Sequence, residues 1–315
     1  MGQDFEQWRI CGVPVRIRSE LPPRRWSSIV SHHDLQRGGD LWGNAPLVEV
    51  VAAGFSSTAE AKLNVPASDG VVQSAGGLIT AILQDPDAGM HGRSEAVDIA
   101  LSMALIRSGH VPLHALAAVK NGVCIVAPAS TRSGKSTLAL AVQYAGGQVI
   151  SDDMVFLTQR SGGGWTVTTV RPDIWLRERP AVDLDGIDAL AHETVPSGHR
   201  FVVRRERSPQ RFAETGCVDA IVAIGISDRA STRIVSVLNQ AERYALLVNA
   251  SSPMLVADRS EGTGASLRKE LFLAAERLSG YRIELGRDLL DAPAQTTDRL
   301  WQEIVAAGKP GVGSG

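Results

Sequence analysis

The segment from Ala129 to Ser136 constrains the fold of this chain more than any other. It reads Ala-Ser-Thr-Arg-Ser-Gly-Lys-Ser, which fits the phosphate-loop pattern G-x-x-x-x-G-K-[ST] except that alanine occupies the first glycine position. In such a loop backbone N–H groups hold phosphate oxygens, the lysine reaches the β- and γ-phosphates, and the hydroxyl binds Mg²⁺. The residues predicted to bind nucleotide are Ala129, Ser130, Thr131, Arg132, Ser133, Gly134, Lys135, Ser136 and Thr137.

The residues on either side of this loop have the patterns of a strand and a helix. Residues 122–127 form a short, apolar, β-branched run, which is typical of a buried parallel strand. Residues 136–145 are rich in helix formers and are followed by Gly146 and Gly147. Strand, loop and helix in this order favour a phosphate site, because the helix N-terminus adds partial positive charge there. The alternative is an ordinary strand–turn–helix.

Two adjacent aspartates follow the next predicted strand. Residues 147–150 have the pattern of a strand, and Ser151, Asp152 and Asp153 come directly after it. At the carboxyl end of a parallel strand they would share a sheet edge with the phosphate loop. One carboxylate can then hold Mg²⁺ and the other can accept the proton of an attacking hydroxyl, although a solvated turn is the alternative. Consecutive strand residues point to opposite faces, so we expect different roles, with the assignment open.

A further strand is predicted before the loop. Residues 111–119 are mostly apolar, and Asn121-Gly122 predicts a hairpin that connects them to the strand at 122–127. His114 lies within this run. A lone histidine among apolar neighbours is more often a satisfied core residue than a catalytic one, so the residue pattern alone favours a structural role.

These segments together resemble the C-terminal kinase domain of the bacterial HPr kinase/phosphorylase family. The residues that carry the resemblance are Leu113-His114-Ala115, Gly134-Lys135-Ser136-Thr137 and Ile150-Ser151-Asp152-Asp153, in this order. It is specific over residues 112–157 and weaker from 158 to about 290. The resemblance implies a P-loop kinase related in fold to the nucleotide-binding part of phosphoenolpyruvate carboxykinase. It also implies transfer of the γ-phosphoryl of ATP to a serine hydroxyl on a protein or peptide.

The resemblance also implies roles for individual residues. His114 would lie near the γ-phosphate, and Lys135 and Ser136 would bind phosphates and Mg²⁺. Asp152 or Asp153 would serve as the base, and the metal ligands would come from Ser136 and this aspartate pair. Because true HPr kinases assemble as hexamers, a homo-oligomer is one expectation that the resemblance adds.

The sequence departs from the family at the loop. Ala129 replaces one glycine, and Arg132 stands where a second is usual. A side chain at a position that needs positive φ is strained, so either the loop geometry differs or nucleotide binding is weakened. Arg132 could also add a cation at the phosphates, or it could face solvent. The family's Glu-Ile-Arg-Gly signature is replaced by residues 171–177, which disfavours HPr itself as acceptor and leaves a peptide precursor as an option.

Composition excludes several classes of function. The net charge of −2 and the aromatic content of 5% give no basic, stacking surface for nucleic acid. The three cysteines, Cys11, Cys124 and Cys217, form no C-x-x-C pair, so neither a disulfide framework nor a zinc site is predicted. No apolar stretch is long enough to span a bilayer, and the N-terminus lacks the pattern of a signal peptide. We therefore expect a cytoplasmic protein without a membrane or nucleic-acid partner.

The predicted fold is α/β (α+β by strict convention), with a mixed-sheet P-loop kinase core of HPr-kinase type and an N-terminal β-rich module. The predicted divisions are the module at 1–76, the kinase domain at 77–307 and a disordered tail at 308–315. Helices are predicted at 77–85 and 93–108. Five arginines between residues 200 and 211 predict either a solvated face or a site for an acidic or phosphorylated group.

The sequence thus favours an ATP-dependent kinase that acts on a serine or threonine hydroxyl of a protein or peptide, with ATP and Mg²⁺ as cofactors. Three alternatives stay open. They are a kinase for a small-molecule hydroxyl or carboxylate, an ATPase without an acceptor, and a catalytically silent nucleotide-binding protein, which the substitutions Ala129 and Arg132 motivate.

Overall fold

The structure is a computed structural model of the whole chain. It describes residues 5–10, 13–21, 23–32, 35–37, 45–52, 63–67, 69–75, 77–84, 94–130, 132–170, 172–176, 190–195, 198–257 and 263–308. The chain divides into two units, one made of residues 1–112 and 253–267 and the other of residues 113–252 and 268–315. They are called unit 1 and unit 2 below. Thr131 and residues 309–315 of the predicted tail lie outside the described residues.

Up to residue 112, the described part of unit 1 forms one sheet and two helices. The strands are β1 (Glu6–Ile10), β2 (Val13–Ser19), β3 (Gln36–Arg37), β4 (Leu47–Ala52), β5 (Leu63–Ala67), β6 (Gly70–Ala75) and β7 (Leu78–Leu83). The helices are α1 (Pro23–His32) and α2 (Glu95–Arg107). The strand order is β3-β1-β2-β4-β7-β6-β5, with β2, β4 and β7 parallel. The predicted β-rich character of the N-terminal region is therefore present.

One element of unit 1 differs from its prediction. The helix predicted at 77–85 is wrong, because residues 78–83 form β7, hydrogen-bonded between β4 and β6. The β-branched residues Ile79, Thr80 and Ile82 suit a strand, and pairing on both sides outweighs local propensity. The boundary predicted after residue 76 falls in the β6–β7 turn, whereas the units divide after residue 112.

The helix predicted at 93–108 is confirmed as α2. Ser94 caps its N-terminus by accepting a hydrogen bond from the Val97 N–H at 3.2 Å, and Gly109 follows its end with a φ of 84°.

The described part of unit 2 contains eleven strands and five α-helices. The start of β8, the end of α4 and the start of α5 lie in unit 1. The strands are β8 (Val111–Lys120), β9 (Val123–Pro128), β10 (Gln148–Ser151), β11 (Met154–Gln159), β12 (Trp165–Thr168), β13 (Ile174–Leu176), β14 (Leu190–Val195), β15 (Gly198–Val203), β16 (Thr215–Ile226), β17 (Arg233–Val237) and β18 (Ser279–Leu285). The helices are α3 (Lys135–Tyr144), α4 (Gln240–Ala257), α5 (Thr263–Arg277), α6 (Asp288–Asp291) and α7 (Pro293–Gly308). No helix in these described ranges is both long and apolar enough to cross a membrane.

Eight of these strands form one mixed sheet. Its order is β10-β8-β11-β12-β16-β18-β17, and β9 pairs with both β8 and β16. Strands β9, β16 and β18 are parallel, while β8 is antiparallel to both β9 and β10. Strands β13, β15 and β14 form a separate small sheet. The mixed sheets and helices confirm the predicted α/β fold class.

Helix α3 is held by a buried core on the face of this sheet. Leu138 and Val142 of α3 are fully buried in a cluster with Ile125 of β9 and Val222 of β16. Helix α7 joins the same cluster through Trp301, whose Nε1 donates to the Val123 carbonyl at 3.2 Å. This packing fixes where α3 begins, and therefore where the phosphate loop lies relative to the ends of the strands.

Candidate active site

The phosphate loop connects the end of β9 to the start of α3. Two of its residues have left-handed backbone, Arg132 with a φ of 66° and Gly134 with a φ of 93°. Arg132 therefore adopts the conformation that a glycine would take at this position, at a cost of roughly 1–2 kcal/mol for a residue with a Cβ. Its side chain is exposed. At Arg132 the loop therefore keeps the left-handed backbone that the sequence analysis expected of a glycine.

Gly134 has a backbone conformation that favours glycine, and it lies against two side chains at the edge of the sheet. A Cβ at this position would lie 2.7 Å from Leu285 Cδ1 and 3.5 Å from Ile226 Cγ1. Leu285 is the last residue of β18 and Ile226 is the last residue of β16, which is parallel to it. The edge of the sheet therefore lies directly against the loop. A contact below 3.0 Å would force the loop or Leu285 to move.

Lys135 is the first residue of α3 and its side chain folds back over the loop. Its Nζ donates hydrogen bonds to the carbonyls of Ala129 at 2.6 Å and Ser130 at 2.9 Å. Burial lowers the pKa of Lys135, and the carboxylates of Asp152 and Asp153 partly oppose this. The ammonium group is thus held inside the loop, next to two aspartates.

The hydroxyl of Ser136 meets the first aspartate of the predicted pair. Ser136 Oγ donates to Asp152 Oδ2 at 2.5 Å. Burial raises the pKa of Asp152 to about 7; the Ser136 hydrogen bond and the nearby Trp175 backbone N–H lower it, and the charge of Asp153 raises it. Asp152 Oδ1 is buried and makes no hydrogen bond of good geometry to any described residue.

The second aspartate contacts the histidine. Asp153 Oδ1 lies 3.2 Å from His114 Nδ1, and both side chains are partly exposed, at 30% and 39%. The backbones also meet, since the Ala115 N–H donates to the Asp153 carbonyl at 3.1 Å. His114 is therefore not enclosed in the core, as the residue pattern alone had favoured, but lies at the strand edge beside Asp153.

The topology explains why these residues lie together. We expected the aspartates to follow a strand in a parallel pair, but β10 pairs only with β8 among the described strands, and that pair is antiparallel. Because β9 is also antiparallel to β8, β9 and β10 run in the same direction on either side of it. Their carboxyl ends meet at one edge, near Ala115 of β8. The sequence analysis predicted this shared edge correctly, but it assumed that β10 pairs with a parallel strand.

The remaining predicted loop residues differ in their surroundings. Ser133 Oγ is buried without a hydrogen-bond partner among the described residues, whereas Ser130 and Thr137 are exposed. Two polar oxygens, of Ser133 and Asp152, are therefore unsatisfied on the loop and beside it. Such orphaned groups fit a site whose partners are supplied by a bound ligand.

The donors suit Mg²⁺ held together with phosphates better than a resident metal. The described residues contain no group of three or more His, Cys, Asp or Glu side chains placed to hold a metal ion. Mg²⁺ commonly uses one or two carboxylates, water and substrate phosphates, which Ser136 and Asp152 can complement. The orphaned Oδ1 of Asp152 gives a carboxylate oxygen for that purpose.

An ion pair that the sequence analysis did not predict lies next to this site. Asp173 is 5% exposed, and its carboxylate accepts from Arg204 Nη1 at 2.7 Å and from the Arg205 N–H at 3.1 Å. The Arg204 guanidinium lies 5.6 Å from the ring centroid of Trp175, whose backbone N–H is close to Asp152. Asp173 precedes β13 and Arg204 follows β15, so the pairing of these two strands brings the residues together and local sequence does not reveal the contact.

The predicted arginine cluster is largely engaged in structural contacts. Arg204 pairs with Asp173, Arg205 with Glu214 at 2.8 Å, and Arg211 Nη1 reaches the Gln143 carbonyl at 3.4 Å. These partners favour the structural interpretation of the cluster over a ligand site. The side chain of Arg200 lies outside the described residues.

No protein-family model matches this chain, and no curated protein matches it. Among solved structures, it is similar to the Hpr(Ser) kinase/phosphatase from Coxiella burnetii. That match covers 62% of this chain and 97% of the other, at 11% identity and a TM-score of 0.31. A superposition this loose does not carry the neighbour's activity over to this chain.

Proposed function

We propose that this chain is an ATP-dependent kinase that transfers the γ-phosphoryl group to a serine or threonine hydroxyl of a protein or peptide. One observation carries the proposal, the 2.5 Å hydrogen bond between Ser136 Oγ and Asp152 Oδ2. It joins the hydroxyl of the phosphate loop to a buried carboxylate at the same edge where Asp153 contacts His114. The groups that we propose to bind phosphate, bind the metal and accept the proton are thus adjacent.

Lys135 and the loop amides bind the phosphates in this proposal. The ammonium of Lys135 now donates to the carbonyls of Ala129 and Ser130, which are weaker acceptors than phosphate oxygens. Nucleotide binding would therefore exchange neutral acceptors for charged ones without bringing a distant side chain to the site. The positive φ values of Arg132 and Gly134 are those expected when loop N–H groups turn inward.

Ser136 and Asp152 would hold the metal ion. When bound, Mg²⁺ would neutralise charge on the transferring phosphoryl group. Because burial raises the pKa of Asp152 to about 7, this carboxyl is half protonated near neutral pH. Asp152 therefore has to release its proton when it binds a cation, which couples metal affinity to pH.

Asp153 is the base in this proposal. It is more exposed than Asp152, and its Oδ1 lies 3.2 Å from His114 Nδ1. Asp153 would take the proton of the acceptor hydroxyl while the acceptor oxygen bonds to the γ-phosphorus. The bond to the β–γ bridging oxygen breaks, and ADP leaves. His114 acts as a positioning residue, since its contact is with the carboxylate.

Transfer of label from γ-labelled ATP tests this function. The wild type, Asp152→Asn and Asp153→Asn are incubated with Mg²⁺ and a size-fractionated lysate of the source cell, and the labelled species is sequenced. Asp291→Asn, at an exposed site in α6, is the matched control. We expect label on a protein or peptide with wild type and control, and at least about 100-fold less label with either site variant.

The other outcomes contradict the proposal in distinct ways. Label on a small molecule would indicate a small-molecule kinase. Free phosphate without a labelled acceptor would indicate an ATPase. If no fraction supports turnover although all variants are folded, the hypothesis of a catalytically silent nucleotide-binding protein would be favoured.

A further inference from the structure

One apolar side chain reaches the phosphate loop and yet stays largely exposed. Ile226 is the last residue of β16, and 67% of its surface is exposed. Its Cγ1 and Cδ1 would lie 3.5 and 3.8 Å from a Cβ at Gly134, so the side chain extends to the start of α3. Leu285 approaches the same point at 2.7 Å but is only 5% exposed. Ile226 therefore offers an apolar surface beside the loop that no step of the proposed reaction uses.

Hydrogen bonds fix the backbone that carries this side chain. The N–H of Ser227, the next residue, donates to the Leu285 carbonyl at 3.0 Å. At the other end of the same turn, the N–H and the Oγ1 of Thr232 both donate to Asp288 Oδ1 at 2.7 Å. The segment that follows Ile226 is thus joined at both ends to the segment that follows β18. A ligand that contacts Ile226 would therefore meet a surface that is already ordered, which lowers the entropic cost of binding.

The order of the strands separates Ile226 from the proposed base. Strand β9, which leads into the loop, pairs with β8 on one side and with β16 on the other. His114 lies on β8 and contacts Asp153, which follows β10, the other neighbour of β8. Ile226 ends β16 on the opposite side of β9. All three residues belong to unit 2, and the phosphate loop lies between the proposed base and Ile226.

This arrangement gives a bound nucleotide a direction. In the proposed reaction the γ-phosphate lies at Asp153, on the β8 side, while Lys135 and the loop amides hold the phosphates at the end of β9. The chain of phosphates then crosses the loop, and the nucleoside lies on the β16 side, at Ile226. The flat face of a nucleobase is largely apolar, so covering it with an aliphatic side chain removes apolar surface of both partners from water.

Exposure alone does not distinguish Ile226, because single exposed apolar residues are common on protein surfaces. Val237, the last residue of β17, is 70% exposed. It pairs with Tyr281 near the start of β18, whereas Leu285, at the end of β18, is the residue that approaches the loop. Val237 therefore lies at the opposite edge of the sheet, away from the phosphates. Contact with the loop is what distinguishes Ile226, and Val237 provides a matched control.

We propose that Ile226 binds the base of the nucleotide, with its side chain against the face of the ring. The proposal rests on the proposed function in one respect, namely that the loop binds a nucleoside triphosphate. It does not depend on the acceptor or on whether the phosphoryl group is transferred. The base contact selects a nucleoside triphosphate over an inorganic polyphosphate, which would occupy the loop but leave Ile226 in contact with water.

Calorimetric titration of the full chain with ATP and with inorganic tripolyphosphate, both in the presence of Mg²⁺, tests the proposal. Tripolyphosphate has three phosphates and no nucleoside, so it measures binding to the loop alone. We expect ATP to bind the wild type at least about tenfold more tightly.

The outcomes separate this proposal from the proposed function. Equal affinity for the two probes would overturn the base contact and leave the phosphate loop, and with it the kinase, intact. Tighter binding of ATP without any label transfer would support the base contact and contradict the kinase. If neither probe binds, both proposals are overturned.

Variants then locate the contact. Ile226→Asn removes the apolar surface without adding charge, so it should weaken ATP at least about fivefold and leave tripolyphosphate within about twofold of wild type. Ile226→Val keeps most of that surface and should bind ATP within about twofold of wild type. Val237→Asn, at the opposite edge of the sheet, should match the wild type for both probes.

Circular dichroism checks that each variant folds, and Ile226→Ala replaces Ile226→Asn if the asparagine variant does not. Wild-type affinity for ATP in the folded variant would overturn the proposal. An equal loss for ATP and tripolyphosphate would also overturn it, because the side chain would then support the loop rather than the base.

Discussion

Ser136 Oγ donates a 2.5 Å hydrogen bond to Asp152 Oδ2, across 16 positions of sequence. The bond connects the first turn of α3 to the segment that follows β10. Asp152 is 5% exposed, and this one bond does not compensate for its burial, because the pKa of the carboxyl is still raised to about 7. Burial of the charged carboxylate is unfavourable for stability. Its position beside a phosphate loop is therefore more readily explained by function.

Replacing Asp152 by asparagine should stabilise the ligand-free protein in a pH-dependent way. The pKa of Asp152 is about 7 in the folded state, against an ordinary value of 3.8 for an aspartate. At a pH between these two values the folded state keeps a proton that the unfolded state has released. Stability therefore falls as pH rises through this window. The stability advantage of Asp152→Asn over wild type should grow by roughly 2 kcal/mol from pH 5 to pH 7.5. Urea unfolding at both pH values measures it.

Asp153→Asn is the control for this prediction. The charge of Asp153 affects the pKa of Asp152 less than burial and the Ser136 hydrogen bond do, so the substitution should produce a smaller change between the two pH values than Asp152→Asn does. A constant difference between Asp152→Asn and wild type across the window would contradict the raised pKa of Asp152.

His114→Asn should reduce turnover without reducing nucleotide affinity. His114 contacts Asp153 rather than the phosphate loop, so its loss should lower kcat roughly 10- to 100-fold and leave the Kd for ATP unchanged. The double variant His114→Asn/Asp153→Asn should be no slower than Asp153→Asn alone, because the two residues act as a unit. Steady-state kinetics and ATP titration measure both; additive losses in kcat would show that His114 acts separately from Asp153.

Substitutions of Arg132 should separate its backbone strain from its charge. Arg132→Gly should be more stable than Arg132→Ala by about 1 kcal/mol, since only the glycine relieves the φ of 66°. Both variants should keep a Kd for ATP within about threefold of wild type, because the side chain is exposed. Thermal unfolding and ATP titration check these outcomes. A tenfold loss of kcat in both variants would instead assign the guanidinium to the phosphates.

The sequence predicted those parts of the site that depend on local pattern. The strand, loop and helix around Gly134 follow from apolar runs and helix formers within some twenty residues. The hairpin between β8 and β9 follows from Asn121-Gly122, whose φ values of 51° and 78° suit the predicted turn. These features need no knowledge of distant contacts.

The parts that the sequence could not predict depend on pairing between distant segments. Strand β7 was predicted as a helix because its hydrogen bonds to β4 and β6 cannot be read from residues 77–85. The antiparallel pairing of β10 with β8, and the placement of Trp175 beside Asp152, also arise only from the sheet topology. Local propensity is weak where a segment is paired on both sides.

Gly134→Ala should impair both stability and nucleotide binding, and Gly146→Ala provides its matched control. Both glycines have positive φ, 93° and 76°, so each alanine should cost about 1 kcal/mol in backbone strain. A Cβ at Gly146 meets nothing within 4 Å, whereas one at Gly134 would lie 2.7 Å from Leu285 Cδ1.

We expect Gly134→Ala to be less stable than Gly146→Ala by a further 1–3 kcal/mol, roughly the cost of overpacking. A shift of the phosphate loop away from Leu285 should also raise the Kd of Gly134→Ala for ATP at least about tenfold, while Gly146→Ala should bind as wild type does. Urea unfolding and ATP titration of the two variants measure these differences. Equal stability and equal ATP affinity would mean that Leu285 moves aside freely, and that the sheet edge does not fix the geometry of the loop.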